Sequence, residues 1–322
     1  MLAAPQASLP PNQSLRRMSL PLEISDSKLG AGLAIMSAIF WGVAGACAQY
    51  LFQNKGLTVD WLVSFRLLSA GGILLLYAKL RGRAVGAIWR DQRAWPSLLI
   101  FGLIGMLGVQ YTYFAAIRHS NAATGTVLQY VGPTLIVIYF VILRRRLPTP
   151  KEAGAVVLAF VGTLLLATHG ELSKLEISSW ALFWGLSSAV ALAFCSIQPM
   201  RLLRYYEATV LVGWAMLIGG VGFSLLHNPW TVQGTWEAST VAAVAFIVIF
   251  GTVISFVGYL NAVKKIGPEK SSLLACGEPL SAAITSVVWL SVPFGVFDWL
   301  GAFCIIATIV ILNRSPASTS PQ

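Results

Sequence analysis

The chain has 322 residues, 57% of them hydrophobic and 11% charged, with a mean hydropathy of +0.75. Globular domains carry about 25% charged residues, so a shortfall this large, with apolar runs along the whole length, excludes a soluble domain and places the chain in a bilayer. The net charge of +10 would suit nucleic acid, but in a membrane protein basic residues gather at one face. Their positions therefore decide.

Residues 1–30 hold Pro5, Pro10, Pro11 and Pro21 among serines, and read as a disordered cytosolic tail. They lack the basic-then-apolar order of a signal peptide. Ten segments then reach the roughly 20 apolar residues that a spanning helix needs: 31–52, 60–79, 95–114, 122–143, 152–168, 180–201, 208–226, 239–262, 270–290 and 297–313. Residues 315–322 form a second short tail. The expected fold is an all-α polytopic membrane protein with connections too short for a soluble domain.

With the N-terminus inside, all but four of the 22 Lys and Arg fall on the cytoplasmic side. Lys55, Arg118 and Lys174 fall outside, and Arg66 stays within a span. That asymmetry sets both termini in the cytoplasm. It also disposes of a nucleic-acid partner, because the basic charge is topological; the run Arg144-Arg145-Arg146 reads as a stop at the inner face. His119, His169 and His227 fall in outer loops. Cys47, Cys195, Cys276 and Cys304 sit in apolar runs without metal-ligand spacing and read as small core residues. Trp61, Trp89, Trp95, Trp180, Trp230, Trp236 and Trp299 cluster at span ends, as an interfacial belt does.

The stretch "YFAAIRHSNAATGTVLQYVGPTL", 113–135, lies over "YLNAVKKIGPEKSSLLACGEPLS", 259–281, at a constant offset. Tyr113 meets Tyr259, Ala116 meets Ala262, Arg118 meets Lys264, Leu128 meets Leu274 and Pro133 meets Pro279. Upstream, "LVSFRLLSAGG" at 62–72 resembles "LVGWAMLIGG" at 211–220. The spans therefore divide five and five, as 31–170 and 171–314. Five is odd, so the halves insert in opposite directions, an arrangement used by transporters that rock about a midplane site.

These residues carry a resemblance. The tyrosine, alanine, basic loop and "EP" at Glu278-Pro279, with Arg66 early in the second helix, resemble the EamA-type transporters of the drug/metabolite transporter superfamily over about 31–313. The chain departs from that pattern at Gly132, which precedes Pro133, and at "LRRR" (143–146) and "LSVPFG" (290–295). The resemblance implies a secondary transporter exporting small metabolites, such as amino acids or related amphipathic compounds, by alternating access. It implies a place in the cell (inner or plasma) membrane, a small-molecule substrate and a monomer or homodimer.

Arg66 and Glu278 are the base and the acid well inside the spans, each costing on the order of 2.5–3.5 kcal/mol at a helix centre. Two readings stand. The pair neutralises itself, or Arg66 extends to the interface; alternatively Glu278 lines the substrate path, with proton coupling as one role. Pro133 and Pro279 each remove a helical hydrogen bond and release the carbonyls of Gln129 and Ala275. Such matched breaks point to a binding site and to hinges. Trp41, Gln110, Gln129, Tyr130, Thr252 and Ser255 lie at middle depth and complete the candidate lining. Gly102, Gly105 and Gly108 put a groove on the third span.

No GxxxxGK[ST] occurs, so direct use of ATP is not expected. No HExxH or GxSxG occurs, so an enzyme and a metal or organic cofactor are not expected. A channel or lipid scramblase remains the alternative, with an intramembrane enzyme behind it.

Overall fold

A computed structural model describes residues 14–120, 122–145, 147–171, 178–227, 230–290 and 295–314. Among them the regular structure is all helical. The helices are α1 (Ser14–Asn54), α2 (Val59–Leu80), the short α3 (Ala87–Arg90), α4 (Trp95–Ile100), α5 (Leu107–Arg118), α6 (Ala122–Gln129), α7 (Val131–Arg144) and α8 (Pro150–Thr168). There follow α9 (Ser179–Ile197), α10 (Ala208–Ser224), α11 (Ala238–Val248), α12 (Ser255–Leu274), α13 (Gly277–Leu290) and α14 (Val296–Arg314).

Six helical stretches among the described residues are long and apolar enough to cross a membrane: Asp26–Asn54, Val59–Leu80, Trp95–Arg118, Thr124–Arg144, Ser179–Met200 and Ala238–Leu274. Shorter apolar helices cover Ala208–Ser224 and Val296–Ile311. Ala238–Leu274 is not one straight rod, because Gly267 stands at φ 80 inside it, immediately before Pro268. Only glycine adopts that φ without a Cβ penalty, and the proline starts the next turn.

Local chemistry fixes the helix starts. The Thr58 hydroxyl accepts from Trp61 N at 3.3 Å, and Ser178 does the same for Ala181 N at 3.1 Å. Thr149 and Glu152 form a reciprocal capping box with Pro150 at the first position, which satisfies two otherwise unpaired donors. Helix α8 closes on His169, left-handed at φ 53.

The π-helical segments Phe101–Met106 and Ile249–Ile254 interrupt two long rods. In the second, Thr252 donates to Ile247 O at 2.7 Å and Ser255 to Phe250 O at 2.6 Å. Both reach back five residues, so the hydroxyls occupy carbonyls in the widened turn.

Helix α2 lies against α10, α8 against α14, α1 against α12 and α13, and α9 against α5, α6 and α7. Close approaches occur where glycine removes the side chain. A Cβ at Gly42 would stand 2.3 Å from Glu278 O, and one at Gly102 would stand 2.8 Å from Ala215 O. The glycine groove thus receives α10 at Gly102, while Ala191 and Phe194 of α9 lie alongside Gly108 and Gly105.

Two expectations are corrected. Residues 14–30, read as disordered tail, belong to α1, because extending an existing helix avoids the cost of nucleating one. Asp26 then anchors this extension through Lys265 at 2.5 Å. Residues 1–13 and the tail 315–322 lie outside the described residues. Trp61, in the first turn of α2, does not face outward as a belt residue would. It is 5% exposed, stacked on Phe65 at 5.0 Å and edge-on to Trp236 at 5.1 Å, while Trp89, Trp95, Trp180, Trp230, Trp236 and Trp299 are exposed.

Candidate functional site

The cavity forms where two helix breaks face each other. Helices α6 and α7 part at Tyr130, whose ψ is −1, and α12 and α13 part after Ala275, whose ψ is −9. Pro133 and Pro279 stand three or four residues beyond, where each denies a donor to the carbonyl four residues back. For Ala275 the structure supplies replacements. Its carbonyl accepts from Glu278 N at 2.9 Å and from the Tyr130 hydroxyl across the break. One broken helix is thereby tied to the other.

Between them lies a small cavity of about 60 Å³. Trp41, Ala44 and Gly45 of α1 line it, with Arg66 of α2 and Gln110, Tyr113 and Phe114 of α5. Gln129, Tyr130 and Pro133 come from the first break, Ser272, Ala275 and Glu278 from the second, and Phe256 and Tyr259 from α12. Six of the lining side chains are aromatic, and Trp41 packs at 5.2 Å against both Phe256 and Tyr259.

Two charges face this space. Arg66 is 4% exposed and Glu278 5%. Arg66 Nε donates to Thr252 Oγ1 at 3.0 Å, and its Cζ stands 4.6 Å from the centre of the Phe114 ring. Glu278 Oε1 accepts from the Tyr113 hydroxyl at 3.1 Å, and that hydroxyl is 2.9 Å from Thr126 Oγ1. No ion pair joins Arg66 to Glu278. The expected mutual neutralisation is not what the side chains do, because each is held by a different residue of α5. Nor does Arg66 reach an interface, since it is buried against Phe114.

Gln110 lies three and four residues before Tyr113 and Phe114, on the same helical face. It is 3% exposed, and neither its amide nitrogen nor its amide oxygen has a partner among the described residues. A buried amide left without partners costs free energy.

Of the candidate lining, Trp41, Arg66, Gln110, Gln129, Tyr130, Pro133 and Glu278 meet in one cavity. Thr252 and Ser255 do not line it; their hydroxyls turn back onto the π-helical segment, and Thr252 holds Arg66 from behind. Pro279 is also behind the wall. Sequence reasoning missed Phe114 and Phe256, which carry no pattern distinguishing them from core aromatics. It did not assign Tyr113 or Tyr259 to the lining, although their match at equivalent positions was a signal. In the folded chain Tyr259 meets Ser196 Oγ at 2.8 Å as Tyr113 meets Thr126.

Elsewhere, no group of three or more His, Cys, Asp or Glu suited to a metal occurs among the described residues. His169 Nδ1 lies 2.7 Å from Asp298 Oδ1 and links the ends of α8 and α14. Arg144 pairs with Glu269 at 2.8 Å. The His227 ring lies tilted against Phe223, with ring centres 4.5 Å apart.

Residues 28–168 and 179–314 each match the EamA-like transporter family. The chain is 39% identical over 282 residues to the uncharacterised inner membrane transporter YicL of Salmonella typhimurium, covering 87% of this chain and 93% of that one. It is 23% identical to the pseudopaline exporter CntI of Pseudomonas aeruginosa, over 89% and 97% of the two chains. It is 26% identical to a probable terminal-alkyne amino-acid exporter of Streptantibioticus cattleyicolor, over 68% and 73%. A solved crystal structure shares the fold with a TM-score of 0.71 at 19% identity, over 89% of this chain and 96% of its own.

Proposed function

We propose, since this chain belongs to the EamA-like transporter family, that it is a secondary transporter exporting small metabolites, such as amino acids or related amphipathic compounds, by alternating access. One observation carries the reading: two buried, opposite charges, with no ion-pair partner among the described residues, share a cavity lined from both halves of the chain. Charges inside a membrane mark substrate or ion paths.

The moving parts are two inverted five-helix repeats, 31–170 and 171–314. Two observations support this: the family matches twice, with a boundary between 168 and 179, and helices of each half pack on the other. Helix α1 opens the first half and packs on α12 and α13 of the second; α9 opens the second and packs on α5, α6 and α7 of the first. The π-helical segments and the helix breaks also recur at corresponding places. Both termini are cytoplasmic by the distribution of Lys and Arg, and Pro133 and Pro279 serve as hinges.

Glu278 is the coupling group: it carries a proton in one part of the cycle and gives it up in another. No cofactor is required, and the protein acts as a monomer or homodimer in the inner or plasma membrane.

The test compares metabolites released by cells with and without the protein, before and after the proton gradient is collapsed. A product whose release depends on both protein and gradient is expected. Glu278→Gln removes that release while the protein remains in the membrane at wild-type level. Ohmic currents through the purified protein in planar bilayers would instead establish a channel and sink the proposal.

A further inference from the structure

The distribution of Lys and Arg places the C-terminal end of α2 at the cytoplasmic face. There Gly82, at φ 71, turns the backbone, a conformation that only glycine adopts without a Cβ penalty. The turn closes through Arg81 N to Tyr77 O, Gly82 N to Lys79 O and Arg83 N to Ala78 O, each at 3.0 Å. Alongside, α10 packs so closely on α2 that a Cβ at Gly71 would stand 2.9 Å from Gly213 O. At the foot of this contact opens a pocket of about 340 Å³. Tyr77, Ala78, Arg81 and Arg83 line it from the first half, and Glu207 and Thr209 from the second.

The charges in this pocket do not balance. Glu207 takes Arg83 Nη1 at 3.0 Å. Arg81 has a neutral partner: its Nε donates to the Tyr77 hydroxyl at 3.3 Å, and its Cζ stands 5.6 Å from the centre of that ring. No carboxylate pairs with Arg81 among the described residues. Two cations against one anion leave the pocket positive, and Thr209 adds a hydroxyl. Towards the middle of the membrane, α2 exposes Ile73, Leu76 and Leu80 by 45%, 58% and 78%. Spacings of three and four put these side chains on one helical face. They span about 10 Å along the axis, most of the roughly 15 Å of hydrocarbon in one leaflet.

We infer that this pocket is a lipid site. It holds the phosphate of an anionic phospholipid of the cytoplasmic leaflet, with an acyl chain along Leu80, Leu76 and Ile73. A phosphate accepts from guanidinium forks in bidentate geometry, and basic pockets between helices on the cytoplasmic side suit anionic headgroups. The apolar stripe favours a lipid over free phosphate, which has no chain to lay on it. The headgroup bridges Arg81 and Arg83 to Thr209 and so ties α2 to α10, one helix from each half. None of these residues lines the cavity between the helix breaks, so the site stands whatever that cavity carries.

The wild-type protein, purified in detergent, is titrated with dioleoylphosphatidylglycerol and separately with dioleoylphosphatidylcholine, and bound lipid is counted by native mass spectrometry. The two share their acyl chains, but the ammonium of phosphatidylcholine cancels its own phosphate. Phosphatidylglycerol is expected to bind at least about fivefold tighter, the factor that one basic side chain contributes at an anionic headgroup. Arg81→Gln is expected to remove most of that preference. Lys151→Gln, at an exposed position at the start of α8, is expected to leave it unchanged. Inorganic phosphate is expected not to displace phosphatidylglycerol at equal concentration. Equal binding of the two lipids by the wild type overturns the inference. So does a preference that Arg81→Gln leaves intact, or one that Lys151→Gln lowers as far, because the basic face as a whole then attracts the lipid. Displacement by inorganic phosphate makes the pocket a site for the free anion and overturns the lipid. If Arg81→Gln fails to fold, the wild-type comparison and the phosphate competition decide.

Discussion

The hydroxyl of Tyr130 donates to the carbonyl oxygen of Ala275. Tyr130 is the break between α6 and α7, and Ala275 is the break between α12 and α13, so each interruption stands opposite the other. The carbonyl is available because Pro279 cannot donate to it. A defect in one helix has become the anchor point for the other.

Tyr130→Phe removes that donor but leaves the bond from Glu278 N. The cost is expected to be about 1 kcal/mol, typical of one hydrogen bond lost where partial satisfaction remains. In a Pro279→Ala background residue 279 regains its N–H and can serve Ala275 itself. The penalty for Tyr130→Phe is therefore expected to shrink there. A double-mutant cycle on detergent unfolding measures the coupling, and additive penalties would deny it.

Gly42 lies where α1 crosses α13, with Glu278 O 2.3 Å from a Cβ placed there. Gly42→Val is expected to destabilise by about 1–3 kcal/mol through overpacking and to displace Glu278, lowering transport. Gly32, on the same helix, has nothing within 4 Å of its added Cβ. Gly32→Ala is expected to be neutral or stabilising by up to about 1 kcal/mol, since alanine favours the helix. Thermal unfolding of the two variants separates contact from propensity.

Exchanging the charges, Arg66→Glu with Glu278→Arg, distinguishes a pair from two separate sites. A mutual salt bridge survives the exchange. Here Thr252 and Phe114 are arranged for a guanidinium, and Tyr113 for a carboxylate. The double variant is therefore expected to show no recovery of surface expression or transport over the single ones. Recovery would mean that the two residues answer each other.

Between the halves, Lys55 pairs with Glu237 in the loops, where Lys55 O also accepts from Thr235 N at 2.8 Å. The hydrogen bond to Lys55, with a second from Ser239, holds the Glu237 carboxyl below its ordinary value. The same bond to Glu237, with Tyr50 beside it, raises Lys55. A depressed carboxyl contributes stability above its unfolded pKa and loses it as pH falls through the folded one. A raised lysine contributes below its unfolded pKa and loses it as pH rises through the folded one. The difference in melting temperature between wild type and Glu237→Gln is therefore expected to be widest near neutral pH. It closes as pH falls through the carboxylate range and again above about 10.4. Salt narrows it as well, because the pair is exposed.

Much of this was legible in the chain. The matching Tyr113 and Tyr259, and Pro133 and Pro279, located the breaks without coordinates, because a proline's missing donor is a local fact. Glu278 and Arg66 stood out because charge is rare in apolar runs. Their relationship was not legible. Axial depth counted along each helix allows them to meet, but whether they do depends on rotation about the helix axes and on which neighbour reaches them first. Thr252 shows the same limit. Its place at middle depth suggested a lining residue, yet a π-helical turn redirects its hydroxyl to Ile247 O. Nothing in "IFGTVI" announces that turn.

The sequence by itself determined that the chain enters a membrane and that one half echoes the other, and it singled out Arg66 and Glu278 as the buried charges. These follow from transfer free energies and backbone chemistry, which act residue by residue. The tertiary structure decided that α5 stands between Arg66 and Glu278, with Phe114 against one and Tyr113 bound to the other. It also decided that Gln110, lining the same cavity, finds no partner among the described residues. Those outcomes depend on how helices distant in sequence rotate and approach each other, and only packing sets that.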